Sequence, residues 1–357
     1  MSTWLVTGAA GFIGSNFVSM VRARNGARIV NLDKLTYAGH RENLDRVAGD
    51  PDHIWVQGDI CDRELVRDLL TRYEPDAVIN FAAESHVDRS IAAPEEFLQT
   101  NIGGTLTLLD ESLRYWRTLA PEKAAGFRFL QISTDEVFGS LEPGDAPFTE
   151  EHPFAPNSPY AASKAGADHM VRAYHATFSL PTLTTHCSNN YGPYQHPEKL
   201  IPLMLLNARH GLPLPVYGDG QQIRDWLYVD DHCEALLAVL ARGTVGSTYN
   251  IGGNSERANL DIIRILNESL DALIPSHAPH ARLIQHVKDR PGHDRRYAIN
   301  ADKMRKELQW QPQVTLEEGL RRTVAWYLGH EDWVQAVCGT HHQEWIAHQY
   351  GAGKGHS

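Results

Sequence analysis

Short apolar runs alternate with longer amphipathic stretches through the first half of the chain. Such runs, rich in branched and aromatic residues, are typical of buried strands. The predicted strands are Trp4–Thr7, Arg28–Leu32, His53–Gln57, Ala77–Phe81, Phe127–Ile132 and Thr182–Thr185. The intervening stretches are predicted helices, one from the glycine-rich stretch 8–16 to about residue 24 and others at about 63–73, 94–116 and 160–177. This alternation predicts an α/β fold with a Rossmann-like, doubly wound parallel sheet.

The pattern changes in the second half, where prolines crowd between Pro193 and Pro215 and the strands become short and isolated. We therefore predict a smaller C-terminal substrate-binding domain over the carboxyl edge of the sheet, where open α/β folds bind their ligands. The predicted division is a Rossmann domain over 1–187 with a return at about 224–256, a substrate domain over 188–223 and 257–330, and a C-terminal extension over 331–357.

Composition and charge exclude several classes of protein. Of the 357 residues, 42% are apolar and 22% charged, as in soluble globular proteins. A formal charge of −11 with no basic run argues against a nucleic-acid surface. No apolar run approaches the ~20 residues of a membrane span, and the first strand follows Met1 without a charged-then-apolar leader. We therefore expect a cytoplasmic protein with no membrane partner.

The spacing of cysteines and histidines predicts neither disulfide bonds nor a metal site. The cysteines at 61, 187, 233 and 338 form no Cys-x-x-Cys pair, which predicts reduced thiols. The 19 histidines are scattered without the spacing of metal ligands, so we predict no metal site.

A glycine-rich turn joins the first strand to the first helix, with Gly8, Gly11 and Gly14 at its corners. Glycines at such a turn let the backbone approach a pyrophosphate at the positive end of the helix. Asp33 ends the second strand, where a carboxylate accepts hydrogen bonds from an adenosine ribose and repels a 2′-phosphate. The motif predicts NAD rather than NADP as the cofactor. An ordinary turn and a helix-capping or solvated aspartate are the alternatives.

The fifth strand ends in Ser133-Thr134-Asp135-Glu136, which places two carboxylates at a turn. Tyr160 and Lys164 are four residues apart and share one face of the next helix. At ~4 Å and a dielectric of ~20, an ammonium attracts a phenolate by roughly 4 kcal/mol, so we expect Lys164 to lower the pKa of Tyr160. Together these groups predict acid–base chemistry on a substrate beside the cofactor. A solvated turn is the alternative for the acidic pair.

With these motifs in place, the chain resembles the extended short-chain dehydrogenase/reductase family and, within it, the enzymes that dehydrate nucleotide-sugars. The matching stretches are 8–15, 32–39, 82–90, 133–139, 158–164, 187–193, 222–227 and 289–297. The glycine turn and the Tyr-x-x-x-Lys motif together indicate only the superfamily. The motif Thr134-Asp135-Glu136 is the one that indicates the nucleotide-sugar dehydratases within it. Two departures are Phe138, where a tyrosine is usual, and His186, where an asparagine is common. The loop 140–156 is also shorter than in many relatives.

The resemblance implies an NAD-dependent hydro-lyase that acts on the nucleotide-sugar dTDP-glucose. The sugar would be oxidised at carbon 4, lose water across carbons 5 and 6, and regain hydride at carbon 6. Tyr160, Lys164 and Thr134 would serve the oxidation, Glu136 would take the carbon-5 proton, and Asp135 would protonate the leaving hydroxyl. By resemblance, the cofactor-binding residues are Gly8, Gly11, Phe12, Ile13, Gly14, Asp33, Lys34, Leu35, Thr36, Asp59, Ile60, Phe81, Ala82, Ala83, Ser85, Thr100, Tyr160, Lys164 and Asn190.

The resemblance also implies a substrate pocket whose arginines bind the diphosphate. Its expected members are Ser85, Thr134, Asn189, Lys199, Leu200, Pro215, Val216, Tyr217, Arg224, Asn259, Arg290 and His293. Structural salt bridges are the alternative for Arg224 and Arg290. A homodimer through the helices at about 100–116 and 160–177 is expected. Two rival functions remain open, an NAD-dependent nucleotide-sugar 4-epimerase and a non-catalytic NAD-binding regulatory protein.

Overall fold

A parallel sheet of seven strands forms the centre of the molecule, which we analysed as a computed structural model describing residues 1–275, 278–289 and 291–338. Its strands are β1 (Thr3–Thr7), β2 (Arg28–Asp33), β3 (His53–Gln57), β4 (Ala77–Asn80), β5 (Arg128–Thr134), β6 (Thr182–Cys187) and β10 (Thr248–Ile251). The spatial order is β3-β2-β1-β4-β5-β6-β10, so the order reverses between β1 and β4. The predicted doubly wound Rossmann-like sheet is confirmed.

Helices cover both faces of this sheet. The described helices are α1 (Phe12–Ala23), α2 (Arg63–Tyr73), α3 (Val87–Ala92), α4 (Pro94–Phe97), α5 (Thr105–Trp116), α6 (Pro121–Gly126), α7 (Pro159–Phe178), α8 (Leu200–Arg209), α9 (Val229–Arg242), α10 (Asn259–Leu273), α11 (Asp302–Leu308) and α12 (Leu316–Gly329). On one face, α1, α9 and α11 bury a core that includes Phe17, Leu236 and Met304. On the other, α2, α5 and α7 bury Leu70, Leu108 and Val171.

The predicted helix over 94–116 is helical throughout but not uniform. Between α4 and α5 the residues Leu98–Gly104 wind as a π-helix. Its wider turn carries Asn101, which is 1% exposed and bridges two elements. The Asn101 amide donates to the Glu84 carbonyl at 3.0 Å and to Ser163 Oγ on α7 at 2.8 Å. Such π-helical turns often occur at functional sites, and this one faces the ends of β4 and α7.

A second core lies beside the main sheet. It joins α8, α10 and α12 to two small sheets, formed by β7 (Asn189–Tyr191), β9 (Ile223–Tyr228) and β11 (Glu256–Ala258), and by β8 (Leu214–Tyr217) and β12 (Ile284–Val287). Between β9 and β11, α9 and β10 return to the main sheet. Later in the chain α11 also packs there, within the predicted substrate domain 257–330. The domain boundaries stay a prediction, and the extension 331–357 lies outside the described residues from 339 onward.

No helix among residues 1–275, 278–289 and 291–338 combines the length and apolarity that crossing a bilayer requires.

Candidate active site

A cleft lies over the carboxyl ends of β1, β2, β4, β5 and β6, where the strand order reverses. All five predicted catalytic residues line it, as do all predicted cofactor-binding residues except Leu35. Of the predicted substrate-binding residues, Ser85, Thr134, Asn189 and Lys199 line the cleft. Parallel strands bring their carboxyl ends to one edge of a sheet, which is why residues so far apart in sequence meet here.

The glycine turn forms one end of the cleft. Gly8 has a φ of +69°, and a Cβ atom there would lie 2.5 Å from the Ala82 backbone nitrogen. A Cβ on Gly14 would lie 2.6 Å from the Gly8 carbonyl oxygen. Helix α1 begins at Phe12 after Gly11, which has no side chain to cap the first amides. These amides and the positive end of α1 therefore face the cleft, as a pyrophosphate requires.

Gly8→Ala tests this close approach, with Gly49→Ala as its matched control. Both glycines have positive φ, +69° and +77°, but a Cβ at Gly49 would meet nothing within 4 Å. Left-handed backbone alone costs about 1–3 kcal/mol for a residue with a side chain. We expect the control to lose about that amount and Gly8→Ala to lose more, together with most bound dinucleotide. Urea unfolding and the nucleotide content of the purified proteins measure both effects; equal losses would contradict the close approach.

Asp33, at the end of β2, lines the same end of the cleft as the glycine turn. Its Oδ2 accepts from the Ala10 amide at 2.8 Å and its Oδ1 from the Leu35 amide at 2.8 Å. Burial raises the pKa of Asp33, and these two hydrogen bonds oppose that rise. Each carboxylate oxygen keeps a further lone pair that can accept from a ribose hydroxyl. Next to it, Lys34 Nζ lies 2.7 Å from Asp59 Oδ2, which ties β2 to the end of β3. The cleft therefore fits an adenosine ribose without a 2′-phosphate.

Tyr160 and Lys164 project from the first turns of α7. Ser158 caps this helix by accepting from the Ala161 amide, which fixes where the first turn begins. Tyr160 is 8% and Lys164 4% exposed, and Lys164 Nζ donates to the Ile132 carbonyl at 2.7 Å.

The pKa of Tyr160 lies well above its usual value, because burial and then the Glu136 carboxylate disfavour the phenolate. A hydrogen bond with Thr134 opposes this rise. The sequence-based expectation of a lowered Tyr160 pKa is therefore wrong for the net shift, since burial raises this pKa. Burial lowers the pKa of Lys164, and the negative charge of Asp168 opposes this lowering.

The acidic pair lies where β5 ends at Thr134 and a tight 3₁₀ turn, Asp135–Phe138, begins. Thr134 Oγ1 accepts from the Glu136 amide at 3.3 Å and lies 3.4 Å from Asp135 Oδ1. Asp135 is 2% exposed, and burial followed by the Glu136 charge raises its pKa well above the usual value. Glu136 is only partly buried. The two neighbouring carboxyl groups thus have different environments, one suited to hold a proton and one suited to accept it.

Several predicted substrate residues lie away from the cleft. Arg224 is 5% exposed, donates to the Asp294 carbonyl at 3.0 Å, and places its guanidinium 4.2 Å from the centre of the Tyr297 ring. Its charge lowers the pKa of Asp135 against burial. The others outside the cleft lining are Leu200, Pro215, Val216, Tyr217, Asn259 and His293. Arg290 lies outside the described residues. The diphosphate-binding roles of Arg224 and Arg290 stay predictions.

One contact joins two residues of the cleft lining, Lys199 and Ser85, and another joins Tyr217 of β8 to Asp88 of α3. Lys199 Nζ donates to the Ser85 carbonyl at 3.3 Å, and the Tyr217 hydroxyl donates to Asp88 Oδ2 at 3.3 Å. Beyond them, His293 Nδ1 lies 2.6 Å from Asp289 Oδ1, and its ring packs edge-on against Tyr217. Tyr217 and His293 lie outside the cleft lining, and their substrate-binding roles stay predictions.

Sequence reasoning missed His232 on α9. Its Nδ1 lies 2.9 Å from Asn190 Oδ1, and burial lowers its pKa to about 3, so the neutral ring donates this hydrogen bond. It thereby orients Asn190, which lines the cleft. No local signal announced this pairing, because 42 positions separate the two residues. Gln195, His196, Cys187 and Ser188 also line the cleft without having been predicted.

Among the described residues, no group of three or more histidine, cysteine, aspartate or glutamate side chains is arranged to hold a metal ion.

Comparison with known proteins agrees with this architecture. The family model described as GDP-mannose 4,6 dehydratase matches residues 5–323. A dTDP-glucose 4,6-dehydratase from Xanthomonas campestris pv. campestris is 58% identical over 340 residues, which cover 94% of this chain and 96% of the relative. The crystal structure of DesIV, a dTDP-glucose 4,6-dehydratase from Streptomyces venezuelae with NAD and dTDP bound, has a TM-score of 0.86 at 45% identity and covers 94% of this chain and 99% of that one.

A solved structure with lower sequence identity shows that proteins of a different named activity share this fold. UDP-glucose 4-epimerase from Thermotoga maritima, solved with UDP-glucose, has a TM-score of 0.81 at 27% identity and covers 92% of this chain and 99% of that one. Dehydratases and epimerases therefore share this fold. Sequence identity to this chain distinguishes the two structures, at 45% for the dehydratase and 27% for the epimerase. The chain belongs to the GDP-mannose 4,6-dehydratase family of extended short-chain dehydrogenases/reductases, as its motifs predicted, and at 58% identity it groups with the dTDP-glucose 4,6-dehydratases.

Proposed function

We propose that this protein is an NAD-dependent hydro-lyase that converts dTDP-glucose to dTDP-4-keto-6-deoxyglucose. The observation that carries the proposal is the contrast between Asp135 and Glu136 in one cleft with Tyr160. A buried carboxyl group with a raised pKa stands beside a partly exposed carboxylate. An acid and a base side by side suit the removal of water from a sugar. Relatives that carry the name dTDP-glucose 4,6-dehydratase, one of them 58% identical, support the substrate assignment.

The cleft residues named above would hold the dinucleotide. The first amides of α1 and the glycine turn would bind the pyrophosphate, Asp33 the adenosine ribose, and Asn190 the nicotinamide end. When bound, NAD accepts hydride from carbon 4 of the sugar and later returns it to carbon 6. The crystallised relative with NAD bound supports this cofactor.

Oxidation at carbon 4 needs a base for the hydroxyl proton. Tyr160 takes this proton, with Thr134 beside it as hydrogen-bond partner. Lys164 lines the cleft and is held by its hydrogen bond to the Ile132 carbonyl. A nearby ammonium would favour the phenolate form of Tyr160. Since burial raises the Tyr160 pKa, this cationic support is needed for the phenol to act near neutral pH.

Elimination follows, because a ketone at carbon 4 makes the carbon-5 hydrogen acidic. Glu136, the more exposed carboxylate, removes that proton. Asp135, kept protonated by burial and by the neighbouring charge, donates its proton to the leaving 6-hydroxyl. Each acid–base contact is worth typically about 10²–10⁴-fold in rate.

The substrate's nucleotide would lie against the second core. Lys199, which donates to the Ser85 carbonyl, lines the cleft, and Tyr217 of the second core donates to Asp88 of α3. We assign to this pocket, as proposals, Ser85, Thr134, Asn189, Lys199, Leu200, Pro215, Val216, Tyr217, Arg224, Asn259, Arg290 and His293.

Incubation with dTDP-glucose and no added reductant tests the proposal. We expect a 4-keto-6-deoxy product, detected by its absorbance in alkali, with no net change in the cofactor. An epimerase would return dTDP-galactose, and a regulatory NAD-binding protein would give no turnover although folded and loaded. UDP-glucose and GDP-mannose, tested in parallel, measure how strictly thymidine is required. The epimerase alternative leaves the acidic pair without a role, because epimerisation needs no carbon-5 base.

We also propose that the protein acts in the cytoplasm as a homodimer through α5 and α7. These helices pack on each other, and the Tyr174 hydroxyl on α7 hydrogen-bonds to Asp110 on α5. Large apolar side chains are exposed at Leu98, 51%, before α5 and at Phe178, 39%, at the end of α7. Light scattering is expected to give about 80 kDa, twice the chain mass of 39.9 kDa. A mass of one chain at micromolar concentration would contradict the dimer.

A further inference from the structure

A buried cluster of three polar side chains, Ser133, Asp168 and His186, adjoins the cleft, which Ser133 lines. Ser133 Oγ donates to Asp168 Oδ2 at 2.5 Å, and His186 Nε2 lies 3.1 Å from the same oxygen. Their residues are 3%, 4% and 1% exposed. The rings of Phe138 and Phe154 pack edge-on against His186, at 4.9 and 5.4 Å between centroids. The steps assigned above use none of the three.

The cluster joins the three elements that carry the chemistry. Ser133 precedes Thr134 on β5, and in the sheet register it pairs with His186 of β6. Asp168 lies one helical turn after Lys164 on α7. Lys164 Nζ in turn donates to the Ile132 carbonyl of β5. A shift of Asp168 would therefore move α7 relative to the strand end that carries the acidic pair.

Charge balance explains why these residue types lie here. Lys164 is buried, and a buried ammonium is unfavourable without a nearby negative charge. Asp168 supplies one, and its charge favours the protonated form of Lys164. A carboxylate oxygen only accepts hydrogen bonds, so Nε2 of His186 carries a proton and donates to Asp168. Asp168 is therefore held by two donors, Ser133 and His186.

Other titratable groups also face Lys164 or its neighbours. Cys187 on β6 acts on Lys164 directly, and Asp135 and Glu136 at the end of β5 act on Cys187. Tyr160 lies on the same helix, one turn before Lys164. Burial and Asp135 raise the pKa of the Cys187 thiol to about 12, which keeps it neutral. Among the charges that oppose the lowering of the Lys164 pKa by burial, Asp168 therefore has the largest effect.

We propose that Ser133, Asp168 and His186 are positioning residues that hold Lys164 charged and in place one helical turn after Tyr160, and thereby set the rate of sugar oxidation. This inference rests on the proposed function, because it concerns the oxidation step of that reaction. None of the three side chains needs to touch the sugar. His186 acts through Asp168, and Asp168 acts through Lys164.

Three variants test the cluster in the full-length protein loaded with NAD. His186→Leu removes a donor to Asp168, His186→Asn keeps an amide donor, and Asp168→Asn removes the charge. The readout is the rate of the first turnover, followed by rapid mixing with dTDP-glucose through the near-ultraviolet absorbance of reduced nicotinamide. We expect about tenfold slower oxidation in His186→Leu and recovery to within about twofold in His186→Asn.

The pH profile of the same step separates positioning from simple loss of fold. Because Asp168 favours protonated Lys164, Asp168→Asn is expected to move the alkaline limb of the oxidation rate to lower pH by about one unit. Nucleotide content after purification and the unfolding midpoint are measured beside it. They show whether a slow variant has instead lost its cofactor or its structure.

A second buried histidine provides the matched control. His280 is fully buried, and its Nδ1 lies 2.5 Å from Asp271 Oδ1, in the part of the chain around α10 and away from the cleft. His280→Leu is expected to lower the unfolding midpoint without changing the oxidation rate or its pH profile.

The outcomes separate the two proposals. A wild-type protein that does not oxidise dTDP-glucose would overturn the proposed function itself. An active wild type whose His186→Leu and Asp168→Asn variants keep its first-turnover rate and pH profile would overturn the positioning role alone. Equal slowing in His186→Leu, His186→Asn and His280→Leu would also overturn it, since a general loss of stability would then explain the effect.

Discussion

Glu136→Gln is expected to reduce the bound NAD when dTDP-glucose is added, yet to release little dehydrated product. An amide accepts no proton from carbon 5, so the reaction would halt after oxidation, with overall turnover lower by about 10²–10⁴-fold. Glu136 is partly buried at the turn after β5, and its backbone amide is held by Thr134. The substitution keeps size and hydrogen-bonding capacity, so the turn should persist. Near-ultraviolet absorbance of reduced nicotinamide and the alkaline product assay measure the two steps separately.

Glu42→Gln, an exposed residue in the 3₁₀ segment Arg41–Val47, is the matched control and should leave both signals unchanged. Normal product release by Glu136→Gln would remove the assigned carbon-5 base from the mechanism. Loss of both signals would show that the residue serves binding or oxidation instead.

The same substitution should change the pH dependence of oxidation. After burial, the Glu136 charge is the next largest cause that raises the pKa of Tyr160. Removing the charge lowers that pKa, so the phenolate forms at lower pH and the acid limb of the first-turnover rate moves downward. Rapid mixing across a pH series measures the shift. An unmoved acid limb would show that a group other than Tyr160 limits the rate on the acid side.

Tyr160→Phe is expected to abolish the reduction of bound NAD by substrate and with it all product. Without the hydroxyl no group takes the carbon-4 proton, and we expect overall turnover to fall by about 10²–10⁴-fold. The ring itself should stay in place, because it packs edge-on against Phe97 at 6.3 Å between centroids. Substrate affinity by calorimetry and nucleotide content should remain close to those of the wild type.

Tyr174→Phe is the matched control, since Tyr174 lies on the same helix and is equally buried, 8%. Its hydroxyl bonds Asp110, outside the cleft lining. We expect this variant to keep normal turnover. If Tyr160→Phe reduced NAD at the wild-type rate, the base for the hydroxyl proton would have to be another group.

Where the pattern was local, sequence and structure agree closely. Helix α2 begins and ends at Arg63 and Tyr73, as predicted, because Asp62 caps its first amides and Glu74 leaves the helix in a left-handed conformation. The parallel sheet was predictable because each strand is a compact apolar run. The π-helical turn at Leu98–Gly104 was not, since it depends on the contacts that Asn101 makes with Glu84 and Ser163.

The sequence by itself determined the fold class, the dinucleotide turn, the family and the motifs that carry the predicted catalytic residues, because each of these shows as a local pattern in the chain. Only the tertiary structure decided how those groups are charged. The Tyr160 pKa rises instead of falling, because burial depends on every element packed around the ring. The same holds for the His232–Asn190 contact and for the Ser133–Asp168–His186 cluster, which join distant segments. Burial and charge pairing arise from packing between elements, and no local pattern encodes them.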